Sequence, residues 1–124
     1  NALLTAYASS GFLDTPFLFF GFLPHKGTNR SSALEKVLYS TYNTILYESP
    51  HRLLKLLESL AQKVPNRDIF LAKELTKKYQ TFFKAKASVL YEQLKDQVIK
   101  GEWVVIVKGV KENFNCLTVD DILE

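Results

Sequence analysis

The chain has 124 residues, 47% of them apolar and 23% charged, with a net charge of +3. That composition excludes a disordered segment and suits one domain able to bury a sizeable core. The single cysteine, Cys116, excludes an internal disulfide and a cysteine cage for a metal, and no apolar run approaches the ~18 residues of a membrane span. One free thiol fits a reducing compartment, and a cytoplasmic location is expected. The mild basic excess agrees with an anionic partner without demanding one. The chain opens at Asn1 inside a helical pattern and holds no methionine, so a piece of a longer protein is expected.

In chain order, residues 2–10 predict a small-residue helix that stops at Gly11. Phe17 to Phe20 is a short, wholly apolar strand, and residues 21–29 follow as a loop. Ser32 and Glu35 have the spacing of a capping box, and Leu34, Val37, Leu38 and Thr41 repeat on one face of the helix it would open. Thr44 to Tyr47 is a second strand. Ser49 can cap the next helix, with Pro50 at its first position, and Leu53, Leu57, Leu60, Ala61 and Val64 form its apolar stripe. Residues 68–75 are a third strand, and residues 79–84 a partly exposed fourth, antiparallel to its neighbour. A helix over 87–99 burying Val89, Leu90, Leu94 and Val98 precedes Trp103 to Val107, whose unbroken apolar run suits a central strand. Residues 1–110 then form one α/β domain with a mixed five-stranded sheet flanked by helices, and 111–124 a tail.

Ligands of open α/β sheets sit beyond the carboxyl ends of the strands. Those ends are expected at Gly21, Glu48, Glu74 and Gly109. At the second end, TILYESPHRL places Glu48, His51 and Arg52 around a helix start, where cations are disfavoured. Either Glu48 pairs with Arg52 to pin strand to helix, or the helix N–H groups and the arginine hold a ligand anion. The loop GFLPHKGTNR carries His25, Lys26 and Arg30, which suit phosphate contact or a solvated connector. In AKELTKKYQTFFKAK, lysines including Lys73 and Lys77 interleave with aromatics. They form either a nucleic-acid track or a charged edge strand that resists association. No phosphate loop, GxGxxG or metal-ligand spacing occurs, so no metal is expected.

ASSGFLDTPFLFFGFLPHKG, TILYESPHRLLKLLESL, RDIFLAKELTKKYQTFFKAK and KGEWVVIVKG follow one another in this order. Together, over residues 2–110, they resemble the carboxyl-terminal half of the small subunit methyltransferase I family of bacterial ribosomal RNA enzymes. That family is a branch of the tetrapyrrole methylase superfamily, and GFLP, YESPHRL and ELTK are the branch-specific segments. The resemblance implies a bilobal enzyme that holds S-adenosylmethionine between its lobes and methylates a ribose 2′-hydroxyl of a cytidine in 16S rRNA. It implies cofactor contacts at Tyr47, Glu48, Ala72, Lys73 and Gly101, with Ser10 and Gly11 as further contacts. RNA contacts fall at His25, Lys26, Arg30, Arg52 and Lys77, and the candidate bases are Glu48, Glu74 and Lys73. The implied partners are 16S rRNA or the small ribosomal subunit, an amino-terminal domain outside this chain, and a second copy in a homodimer. No membrane partner is implied. Half a cleft cannot exclude water or aim a methyl group, so the chain alone is expected to be inactive. A C-methylase acting on a corrin or siroheme precursor and a non-catalytic module that docks RNA or dimerises are the alternatives.

Overall fold

The continuously apolar stretch from Trp103 to Val107 lies at the centre of a five-stranded sheet. A computed structural model describes Gly11 and residues 16–24, 27–74 and 80–110. The strands are β1 (Phe17–Phe22), β2 (Asn43–Glu48), β3 (Asp68–Glu74), β4 (Gln80–Lys86) and β5 (Glu102–Val107), and they lie in the order β1-β2-β5-β3-β4. The helices are α1 (Gly27–Tyr39), α2 (Pro50–Lys63) and α3 (Ala87–Leu94). The helix expected over 2–10 and the tail over 111–124 lie outside the described residues, as do Ser10, His25, Lys26 and Lys77.

β1 and β2 are parallel, whereas β5 runs against both β2 and β3, and β4 runs against β3. The expected carboxyl end at Gly109 is therefore corrected. β5 presents its amino end, Gly101 and Glu102, to the edge where β1, β2 and β3 finish, and Gly109 lies at the opposite edge.

Side-chain alternation splits the core into two layers. On one face, Leu46, Ile69, Leu71, Trp103, Val105 and Val107 pack against all three helices. The partners from those helices include Leu34 and Leu38 of α1, Leu53 and Leu57 of α2, and Leu90 of α3. Each fully buried leucine or isoleucine contributes about 1.5–3 kcal/mol. On the far face, Ile45, Phe70, Ala72, Val104 and Ile106 form a second cluster with Tyr47 against it, and no described helix joins that cluster.

Several local expectations shift. α1 starts at Gly27, five residues before the capping box, so Ser32 and Glu35 sit on its exposed face rather than at its end. Gly27 takes φ +79°, a conformation suited to a chain reversal into a helix. Ser49 has the extended backbone of an N-cap and Pro50 follows it, yet the Ser49 hydroxyl makes no capping bond. Its carbonyl instead accepts from the N–H groups of Arg52 and Leu53. α3 ends at Leu94 and unwinds through a turn, in which Gln97 N–H donates to the Leu94 carbonyl at 3.0 Å. Val98 thus lies past the helix and is 82% exposed, and Val89 points outward rather than into the core.

β1 is an edge strand, and its apolar residues are far from buried: Leu18 and Phe19 are each 47% exposed and Phe22 is 62% exposed. A register shift between Phe19 and Gly21 inserts Phe20 as an extra residue. Phe20 then packs against the helix-side core, while Phe19 and Phe22 both meet Tyr47 on the far face.

Candidate active site rim

Strand register brings the expected cofactor residues to one edge of the sheet. Tyr47 and Ala72 are both opposite Val104, so the three form one row across β2, β5 and β3. The next row toward the edge is Glu48, Trp103 and Lys73, and beyond it Glu74 faces Glu102 beside Gly101. Alternation puts these rows on opposite faces. Tyr47 and Ala72 belong to the far face, and Glu48, Trp103 and Lys73 to the helix side.

Each side chain at this rim has a defined setting. The Tyr47 ring is half-buried, with Phe19 edge-on at 5.4 Å and Phe22 tilted at 5.5 Å between centroids. Glu48 is 4% exposed, and its Oε1 accepts from the Ser49 N–H at 3.1 Å. This bond ties the acid to the turn that opens α2. Lys73 Nζ stands 5.7 Å from the centre of the Trp103 ring, a cation–π distance. Trp103 is itself anchored: its indole N–H donates to the Lys100 carbonyl at 3.0 Å, and Phe83 lies 5.9 Å away. Gly101 has φ +84°, the left-handed region that favours glycine.

The other expected positions separate from this group. Gly11 lies near the tip of Lys84, whose Nζ an added Cβ would meet at 3.0 Å. His51 and Arg52 occupy the first turn of α2 beside Glu48, with His51 exposed and Arg52 half-buried. Arg30 is half-buried in the first turn of α1, and its Nη1 donates to the Pro24 carbonyl at 3.2 Å. Its Nη2 is buried with no partner among the described residues.

Sequence reasoning missed Trp103 as a platform for Lys73, because the cue is a cross-strand register between segments 30 residues apart. It also missed Arg67, whose Nη1 donates to the carbonyls of Leu38 and Lys108 and joins the end of α1 to the end of β5. Burial draws the Arg67 guanidinium below the ordinary arginine range, with Tyr39 acting in the opposite sense. A recess of about 460 Å³ lies beside it, lined by Pro65, Arg67, Asp68, Lys108 and Gly109 among others. That recess is at the opposite sheet edge from Tyr47 and Gly101. No group of three or more potential metal ligands occurs among the described residues. No described helix is long and apolar enough to cross a membrane.

A family model described as tetrapyrrole (corrin/porphyrin) methylases matches residues 2–91. The chain belongs to the tetrapyrrole methylase family. The methyltransferase CobJ has the same fold, with a TM-score of 0.60 at 20% identity over 89% of this chain and 48% of that one. Among curated relatives, ribosomal RNA small subunit methyltransferase I of Campylobacter fetus is 41% identical over all of this chain and 46% of its own length. The Helicobacter pylori protein of the same name is 39% identical over all of this chain and 45% of its own. That of Bacillus subtilis is 36% identical over 88% of this chain and 37% of its own. The chain thus spans about half the length of the curated relatives it matches.

Proposed function

We propose that this chain is the carboxyl-terminal lobe of an S-adenosylmethionine-dependent methyltransferase that modifies a ribose 2′-hydroxyl of a cytidine in 16S rRNA. Residues up to 110 form the lobe, and 111–124 are its tail. The observation that carries the reading is the shared rim: Tyr47 and Ala72 flank Val104 in one row, and Gly101 turns into β5 at the same edge. An aromatic side chain, a small side chain and exposed backbone at a glycine suit an adenosine, which needs a flat contact and hydrogen bonds to main chain. The relatives named above supply the substrate class.

S-adenosylmethionine provides an electrophilic methyl group, so no metal is needed for the transfer. The protein's part is to align the acceptor oxygen with that methyl group and to accept the hydroxyl proton as the new carbon–oxygen bond forms. Glu48, Glu74 and Lys73, all at the carboxyl ends of β2 and β3, are the proposed candidate bases of this lobe. Of these, Glu48 already accepts the Ser49 N–H, which favours a role in shaping the α2 turn. His25, Lys26, Arg30, Arg52 and Lys77 are the proposed RNA contacts. The amino-terminal lobe of the same protein closes the cleft in this reading, and a homodimer is its proposed assembly in the cytoplasm.

The test uses the full-length protein, labelled S-adenosylmethionine and small ribosomal subunits lacking the modification. Recovery of 2′-O-methylcytidine from digested 16S rRNA is the expected result. Label on a base, or on a tetrapyrrole precursor instead of RNA, overturns the reading. Arg52→Ala should weaken RNA binding and leave S-adenosylmethionine affinity intact. Arg30→Ala should do the same with an added stability cost, because its guanidinium also holds the Pro24 carbonyl.

A further inference from the structure

We infer that Lys73, propped on the Trp103 indole, is a phosphate-backbone contact at the rim, and that Trp103 is its positioning residue. This rests on the reading that the partner is RNA. Three observations carry it.

The first is the rigidity of the support. Trp103 is 3% exposed, its indole N–H is spent on the Lys100 carbonyl, and Phe83 lies against it. A lysine leaning on a ring held in this way has its ammonium confined to a small region, although its four-carbon stem would otherwise sample many positions.

The second is the kind of support. A ring face attracts the ammonium without accepting a directed hydrogen bond, so all three N–H donors stay available to an incoming anion. A carboxylate partner would neutralise the charge, and Lys73 has no such partner among the described residues. Glu48 is separated from it by the whole of β5, two strand spacings or about 9–10 Å. That acid is already engaged by the Ser49 N–H.

The third is placement. Lys73 lies one row beyond Ala72 toward the edge and on the face opposite to Tyr47 and Ala72. A contact there leaves the far-face row free for a nucleoside and puts the cation on the helix side of the sheet, in the same row as Glu48. Cations at a rim that meets a polyanion raise affinity through counterion release, with a signature in salt dependence.

The experiment measures the affinity of the full-length protein for a cytidine-rich single-stranded oligoribonucleotide at several salt concentrations. It compares wild type, Lys73→Gln, Lys73→Arg and Trp103→Phe. S-adenosylmethionine affinity of each is measured alongside. Lys73→Gln should flatten the slope of log K against log salt by about 0.7, the share of one single-strand phosphate. Lys73→Arg should restore the slope, because arginine keeps the charge and stacks on the indole, and Trp103→Phe should give an intermediate slope. A merely structural lysine would lower stability without moving the slope. An unchanged slope in Lys73→Gln, with wild type binding RNA normally, overturns the inference and leaves the proposed function standing. Loss of S-adenosylmethionine affinity in place of the slope change also overturns it, by assigning Lys73 to the cofactor carboxylate. Absence of RNA binding by wild type overturns both.

Discussion

A methyl group placed on the α-carbon of Gly109 would lie 2.2 Å from the Thr41 carbonyl oxygen. The obstacle is backbone, which cannot rotate away as a side chain can. Position 109, two residues after β5, must therefore be glycine for the chain to pass the α1–β2 connection, where Val110 N–H also donates to the Ser40 carbonyl at 2.9 Å. Gly109→Ala should destabilise the fold by about 1–3 kcal/mol, the range for overpacking a filled site. A lowered urea midpoint with unchanged slope is the expected readout, and a wild-type midpoint would remove the argument.

The same junction depends on Asn43, which is fully buried and accepts the Gly109 N–H at 2.9 Å through its side-chain oxygen. Asn43→Ala should cost about 1–3 kcal/mol, because the partly buried Gly109 N–H loses its partner. A double variant with Gly109→Ala should lose less than the sum of the two single losses, since both act on one contact. Additive losses would show that the two residues act separately.

Among the described residues β1 is an edge strand with no charge on it, whereas the opposite edge strand carries Lys84 and Lys86. Unprotected apolar edges favour association, and a lysine opposes it. In the isolated chain, Phe22→Lys should reduce concentration-dependent light scattering without lowering the melting temperature, because Phe22 is 62% exposed. Unaltered scattering would place the sticky surface elsewhere.

Gly101 has φ +84°. Gly101→Ala should therefore cost about 1–2 kcal/mol in backbone strain. If the rim carries the nucleoside, the full-length variant should also show a raised KM for S-adenosylmethionine with a smaller change for RNA. A stability loss with unchanged KM would separate the turn from the cofactor.

The isolated 124-residue chain provides one wall of the proposed cleft. Calorimetry should find S-adenosylmethionine binding weaker than micromolar, because a single wall leaves most of the ligand in water. Micromolar binding by this chain would show that one lobe suffices.

Much of the architecture was legible in the letters because it depends on local periodicity. Alternating and continuous apolar runs marked all five strands, and the leucine spacing after Pro50 marked α2, whose buried residues are Leu53, Leu56, Leu57 and Leu60. The glycine and charged junctions at strand ends were also visible, and it was the family resemblance that grouped Tyr47, Glu48, Ala72, Lys73 and Gly101. The direction of β5 was not visible, since an apolar run reads the same both ways and only long-range hydrogen bonds choose its sense. That choice put Gly101 on the rim and sent Gly109 to the far end. Tertiary structure alone also decided that Tyr47 and Glu48, adjacent in sequence, serve opposite faces, and that Lys73 meets Trp103. Both follow from strand register, which packing of the two core layers sets and which no single segment encodes.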